Sequence, residues 1–209
     1  MSNLYFDVIK DRLYTTAIHS RERRSAQTAV WRVGNALFRL MAPILAFTAD
    51  EAWSYFRKPE GTPESIHLAL FPEASEITAG LPASIRANSS KWESLMGVRA
   101  EVLKSLESAR QSKVIGKPTD ARVGVQADAK LYPLLKEYEA QLPELFIVSQ
   151  VAISNHAAEG IAVQVDKAAG VKCQRCWKFK FDVGSHTEFP TICDSCATVV
   201  ETDYPNGTA

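Results

Sequence analysis

Arg21-Glu-Arg-Arg-Ser-Ala-Gln-Thr-Ala-Val-Trp-Arg-Val-Gly-Asn-Ala-Leu-Phe-Arg-Leu-Met41 reads as one long helix and sets the fold class. Ala26, Val30, Val33, Leu37, Leu40 and, just beyond, Ile44 recur at helical spacing, and the arginines mostly lie off that stripe. Gly34 lowers helix propensity a little and permits close packing. Pro43 ends or bends the helix. Upstream, Leu4, Tyr5, Val8, Ile9, Leu13 and Ala17 mark a first helix. Downstream, Thr48-Ala-Asp-Glu51 is a capping-box pattern, so a third helix is expected to start there, with Asp50 and Glu51 as first-turn charges.

After a polar Pro/Gly loop from Arg57 to Glu64, Ser65–Pro72 reads as extended. A long helix follows, from Pro82 or Ala87 to Ser112, with Trp92, Leu95, Val98, Val102, Leu103 and Leu106 as its apolar stripe. The period then changes. Ala121–Ala127 alternates like a strand. Tyr132–Leu142 reads as a helix closed by Pro143, and 146–153 and 161–165 read as two further strands. The expected fold is mainly α. A helical bundle over 1–112 leads through its long last helix into a small α+β subdomain over 113–168. A four-cysteine module over 169–200 and a flexible tail over 201–209 complete it. Trp31, Trp53 and Trp92 fall on or beside helical apolar stripes and are expected in the core.

The chain has four cysteines, Cys173-Gln-Arg-Cys176 and Cys193-Asp-Ser-Cys196, in two knuckles sixteen residues apart. This spacing suits a four-thiolate zinc site, in which all four tetrahedral positions are filled by protein and the metal folds the module rather than activating water. One structural zinc per chain is expected. Iron suits the same cage. A disulfide framework belongs to small secreted domains, and Met1-Ser-Asn-Leu-Tyr-Phe-Asp7 does not look like a signal peptide. A redox pair needs one Cys-x-x-Cys in a βαβ setting. His186 lies between the knuckles as a possible substitute ligand or a solvated side chain.

Formal net charge is zero, with 46% hydrophobic and 23% charged residues, the proportions of an ordinary globular protein. The longest apolar run, Leu40–Phe47, is too short to span a bilayer, so no membrane partner is expected and the location reads as cytoplasmic. Charge is local. Ile9–Leu40 carries seven Lys/Arg against two acids, and Lys167–Phe181 carries five and no acid. Either cluster can be a solvated face; two in a neutral chain point to a polyanion. No phosphate-cradling glycine loop or His-Glu-x-x-His occurs, and His19, His67 and His156 are scattered.

Three stretches carry a resemblance: Tyr5-Phe-Asp-Val-Ile-Lys-Asp-Arg-Leu-Tyr14; Arg23-Arg-Ser-Ala-Gln-Thr28 with Leu40-Met-Ala-Pro-Ile-Leu-Ala-Phe-Thr-Ala-Asp-Glu-Ala-Trp53; and Cys173-Gln-Arg-Cys-Trp177 with Cys193-Asp-Ser-Cys196. The chain resembles the C-terminal third of bacterial isoleucyl-tRNA synthetases, over essentially its whole length. The Pro-Ile-Leu segment is shared with the valine and leucine enzymes; the Cys-x-Arg-Cys-Trp knuckle resembles the isoleucine enzyme more. The resemblance implies an anticodon-binding bundle and a zinc module that reaches the anticodon loop. The His-x-Gly-His and Lys-Met-Ser-Lys-Ser signatures of that family are absent, so the chain alone is expected to be inactive. The implied partners are the anticodon arm of isoleucine tRNA and the catalytic and editing domains of a parent synthetase, not DNA.

Unstacked anticodon bases suit aromatic and Arg planes, and basic side chains suit phosphates. The expected RNA contacts are Trp177 on a base, Arg175 on a base edge or phosphate, and Arg23, Arg24, Gln27 and Lys10 along the bundle, with Asp11 and Tyr14 lining the same groove. The competing readings are a packing role for Trp177, a zinc-ribbon adaptor for protein partners, and a redox or metal-transfer protein.

Overall fold

The computed structural model describes residues 2–155 and 159–204; His156 and 205–209 lie outside the described residues. About half of the chain is helical, with a small sheet. It divides into two compact units, Arg21–Ile85 and the pair Met1–Ser20 with Arg86–Ala209.

The unit Arg21–Ile85 holds α2 (Arg21–Met41), with the bounds expected from the sequence, α3 (Ala46–Tyr55) and the short α4 (Ala74–Ile77). Its core is Ala42, Ala49, Trp53 and Ile66, with Phe38 and Phe56 packed against them. Trp31 and Trp53 both stack on Phe56, with centroids 5.7 and 5.8 Å away, and Phe38 meets the same ring edge-on at 5.3 Å. A Cβ on Gly34 would lie 3.3 Å from the Phe56 ring, so the missing side chain lets that ring approach α2. The inward positions are therefore Trp31, Gly34, Phe38 and Ala42. Of the expected stripe from Ala26 to Ile44, Ala26 is buried at 2% exposure, but from Val30 onward the stripe is one residue out of phase: Leu40 is 48% exposed and Ile44 83%. Aromatic rings bury more area per residue than Val or Leu, and here they set the rotation of the helix.

The capping box is also not realised. Leu45 precedes α3, with no side-chain cap, and Thr48 lies inside the helix. The amides of Ile44 and Leu45 both donate to Met41 O, closing α2 and starting α3 two residues early. Asp50 has another task than a first-turn charge. Its Oδ1 accepts from Ser65 Oγ at 2.8 Å and Ile66 N at 2.9 Å, pinning a 3₁₀ turn over Ile66–Leu68 where an extended run was expected. The Ser65 hydroxyl, then the Ile66 amide, hold the Asp50 carboxyl below its ordinary value. A depressed carboxyl stabilises the fold above the unfolded-state value, and this contribution is lost as pH falls through the folded one.

The other unit begins with a π-helical turn over Ser2–Phe6 and α1 (Lys10–Tyr14). The chain re-enters it along α5 (Ala83–Ala87) and continues into α6 (Ser89–Gln111). β1 (Ala121–Ala127) is the centre of a three-stranded sheet, parallel to β2 (Gln150–Asn155) and antiparallel to β3 (Ile161–Lys167). Ala121, Val123, Val125 and Ala127 alternate inward and join Leu95, Val98, Val102 and Leu106 of α6 in one core. Of the expected α6 stripe, Trp92 and Leu103 stay partly exposed. The β1–β2 crossover carries α7 (Tyr132–Glu137) and α8 (Leu142–Phe146). Pro143 opens α8 rather than closing its predecessor, because the first helical turn needs no donor from it. A hairpin, β4 (Val171–Lys172) with β5 (Phe179–Lys180), and α9 (Asp194–Asp203) follow. α9 runs three residues into the segment expected to be tail, and Asp203 Oδ2 accepts the Ile18 amide at 2.7 Å.

The phase of α2 is testable. Trp53→Ala, at a site 1% exposed, is expected to cost about 3–5 kcal/mol in urea unfolding, whereas Leu40→Ser should stay within about 1 kcal/mol. The reverse ranking contradicts the assigned face.

Candidate metal centre and nucleic-acid interface

The β4–β5 hairpin sets up the first knuckle. Gly170 (φ +95°) passes so close to Lys180 O that a Cβ there would lie 2.5 Å away. Cys173 N donates to Lys178 O and Trp177 N to Cys173 O, both at 2.9 Å, closing the Cys-Gln-Arg-Cys turn. Trp177 takes a left-handed backbone (φ +64°), unusual for a bulky residue. The second knuckle sits at the start of α9. Cys193 precedes its first turn, and Cys196 N donates back to Cys193 O at 2.9 Å. Gln174 N to Thr191 O, 3.1 Å, ties the two knuckles together.

The four Sγ atoms lie within 4.8 Å of one another, with Cys176 and Cys193 3.9 Å apart. No cysteine is in a disulfide. Four thiolates on a tetrahedral Zn²⁺ at ~2.3 Å place the sulfurs about 3.8 Å apart, so the cage fits a metal ion of that size. The Cys196 thiol beside it, then burial, push the Cys176 thiol well above its usual range; a divalent cation reverses that balance. Cys193 N donates to Cys173 Sγ at 3.3 Å and Arg175 Nη1 lies 3.6 Å from Cys196 Sγ, the contacts that orient thiolate ligands. His186 stands outside the cage: its Nε2 meets Glu201 Oε1 at 2.8 Å and its ring packs on Phe189.

The module is docked within its unit. Arg175 Nη1 donates to Thr15 O at 2.6 Å, just past α1, and Lys178 forms an ion pair with Asp11 of α1. Phe179 N donates to Ser149 Oγ at 2.7 Å, and Lys172 reaches Asp120 at 3.3 Å. Asp11, Arg175 and the neighbouring Trp177 are thus brought to one region. Lys10 pairs with Asp7 at 2.7 Å, and Tyr14 is exposed. Arg23 (half-buried), Arg24 and Gln27 (both exposed) belong to the first turns of α2, in the other unit.

Trp177 is 55% exposed, and Lys117 Nζ stands 5.0 Å from the centroid of its ring. Sequence reasoning missed Lys117. The signal available was Lys113-Val-Ile-Gly-Lys-Pro118, a basic turn between the long helix and the first strand.

Residues 1–125, from α1 through α6 and most of β1, match the family model described as the anticodon-binding domain of tRNA ligase. The chain belongs to this anticodon-binding family. It is 44% identical over 206 residues to an isoleucine–tRNA ligase of Carboxydothermus hydrogenoformans. It is 42% identical to one of Syntrophotalea carbinolica and 40% to one of Actinobacillus pleuropneumoniae serotype 5b. These matches cover 94–96% of the chain, and hence the cysteine module, but only 21–22% of each relative. Among the described residues of this anticodon-binding chain, no helix is long and apolar enough to cross a membrane.

The cysteine cage gives the second prediction. Cys173→Ser or Cys196→Ser is expected to abolish stoichiometric metal in elemental analysis and to unfold the segment from β4 to α9. The helical circular-dichroism signal of α2 and α6 should persist. Full metal content in both variants contradicts the four-sulfur site.

Proposed function

We propose that the chain is the tRNA-recognition part of an isoleucine–tRNA ligase, with one structural zinc holding a platform for the anticodon arm of isoleucine tRNA. The observation that carries this is Trp177: an exposed indole on a metal-capable knuckle, with a lysine over its ring. A large apolar ring half in solvent is a poor packing residue and a good stacking surface, and every base has a face to offer it. Arg175 spends Nη1 on Thr15 O, and the rest of its guanidinium is left for a base edge or phosphate. Lys10, Arg23, Arg24 and Gln27 are proposed to track the RNA backbone. Family membership and the isoleucine–tRNA ligase relatives support this reading.

In this reading zinc supplies rigidity, not chemistry, since all four sulfurs are ligands. The catalytic and editing functions lie in the rest of the ligase. That partner also accounts for the apolar side chains Leu37, Leu40, Met41, Ile44, Leu45 and Phe47 on and after α2, with Phe47 92% exposed. A run of exposed apolar side chains of this kind suits an interface. A zinc-ribbon adaptor would use the knuckle's own exposed apolar side chains, Val171, Trp177 and Phe181, and would bind no tRNA.

Trp177→Ala is expected to weaken isoleucine-tRNA binding by ~1–3 kcal/mol, with zinc content and melting temperature unchanged. Loss of zinc or a lowered melting temperature with unchanged affinity makes Trp177 a packing residue instead. The isolated chain should show no isoleucine-dependent ATP–pyrophosphate exchange. Exchange that persists after rigorous purification contradicts the assignment of catalysis to the rest of the ligase.

A further inference from the structure

We propose that a cleft beside Trp177, at the end of α6, is a phosphate-holding subsite for the RNA backbone. This rests on the tRNA-binding reading and adds Lys113 and Lys167 to the site. The cleft, about 620 Å³, is lined by Arg110, Lys113, Gly116, Asp120, Lys167 and Phe179, among others. It lies where α6, the turn before β1, the end of β3 and β5 come together.

Its charge balance points to an anion. Arg110 is neutralised by Glu107 at 2.8 Å, and Asp120 is offset by Lys172 at 3.3 Å. Burial tends to raise the Asp120 carboxyl, but the Lys117 amide and Lys172 outweigh it, so the net shift is down and the group stays ionised. Lys113 and Lys167 take part in no ion pair among the described residues. Two uncompensated cations on one concave surface repel until an anion enters.

A simpler role for Lys113, offsetting the negative end of α6, is already filled by other groups. The amides of Ser112, Lys113 and Val114 donate to Ser108 O, Arg110 O and Ala109 O, so these last carbonyls are satisfied by backbone. Lys113 sits at φ +60°, in the left-handed position after a helix where glycine is usual. Lys113 lines the cleft.

The ring and the cleft are linked through Lys117 and Gly116. Trp177 offers a ring for a base, and Lys117 stands 5.0 Å over it. Gly116, the next residue in the chain, lines the cleft that holds Lys113 and Lys167. A nucleotide stacked on Trp177 thus has a cationic pocket at hand for an adjacent phosphate. Because the contacts are to base faces and phosphates, the ligand class is a single-stranded RNA segment, here the loop of a tRNA.

The test uses the full chain and isoleucine tRNA over a salt series. Lys113→Gln with Lys167→Gln is expected to lower the slope of log K against log salt by about 1, because the two lysines hold one phosphate between them and each phosphate neutralised releases roughly one counterion. Lys104→Gln with Lys136→Gln makes the same charge change at exposed lysines paired to Glu101 and Glu139, and should leave the slope unchanged. Combined with Trp177→Ala, the cleft double variant should lose less affinity than the two effects multiplied, because one nucleotide bridges both. Wild-type binding with an unchanged slope in the cleft variant overturns the subsite and leaves the tRNA reading standing. Equal slope losses in the cleft and control variants also overturn it, as a bulk charge effect. Absence of wild-type binding overturns both.

Discussion

The convergence of four cysteine sulfurs is the constraint on which the C-terminal segment depends. Among the described residues, the cluster around Cys173, Cys193 and Cys196 adds only Cys176, Val183 and Ile192. A segment of this size with so little apolar material cannot offset its conformational entropy by burial alone. A metal ion held by the four sulfurs would supply that free energy, because in such modules binding energy is folding energy. What the sulfurs hold in turn is the turn Cys173–Trp177, whose last residue carries the exposed indole in a backbone conformation that an unrestrained chain would leave.

Rigidity alone would not make a recognition surface; the knuckle must also face a fixed direction. Arg175 and Lys178 flank Cys176 and Trp177, and each is anchored to the α1 region, one on Thr15 O and the other on Asp11. Lys172 and Phe179 fasten the hairpin to the turn before β1 and to Ser149. Individually these surface ion pairs are worth little. Acting together around the four-cysteine loop they fix its orientation, and they put Lys117 of the basic turn 113–117 next to the indole. Several of the cations that the composition flagged as an RNA patch are therefore also struts. Lys113, just past α6, and Lys167, at the end of β3, take part in no ion pair among the described residues.

Element type was legible wherever periodicity was strong. α2 keeps its expected bounds, β1 alternates as read, and the α6 stripe at Leu95, Val98, Val102 and Leu106 is core. The phase of α2 was not legible, because a one-residue rotation was decided by Phe56, fifteen residues beyond its C-terminal end, entering beside Gly34. The capping box at Thr48 failed for a local reason: Met41 O recruits two amides and starts α3 early. Pro143 was misread because proline both ends and begins helices, and only the next turn tells which. In the site, the cysteine spacing alone announced the cage. Lys117 and Lys113 show in the sequence only as a basic turn, because the ring and the cleft that give them meaning draw on residues some sixty positions away.

The central claim is that a metal-held knuckle presents the RNA platform. The direct measurement is isoleucine-tRNA affinity of the full chain before chelation, after chelation and after zinc is restored, with metal content followed on the same samples. The account predicts that affinity falls as zinc leaves, returns as it is restored, and does so while the α2 and α6 helical signal holds steady. A metal-free chain whose cysteine segment has unfolded, yet which binds the tRNA as tightly as before, contradicts it.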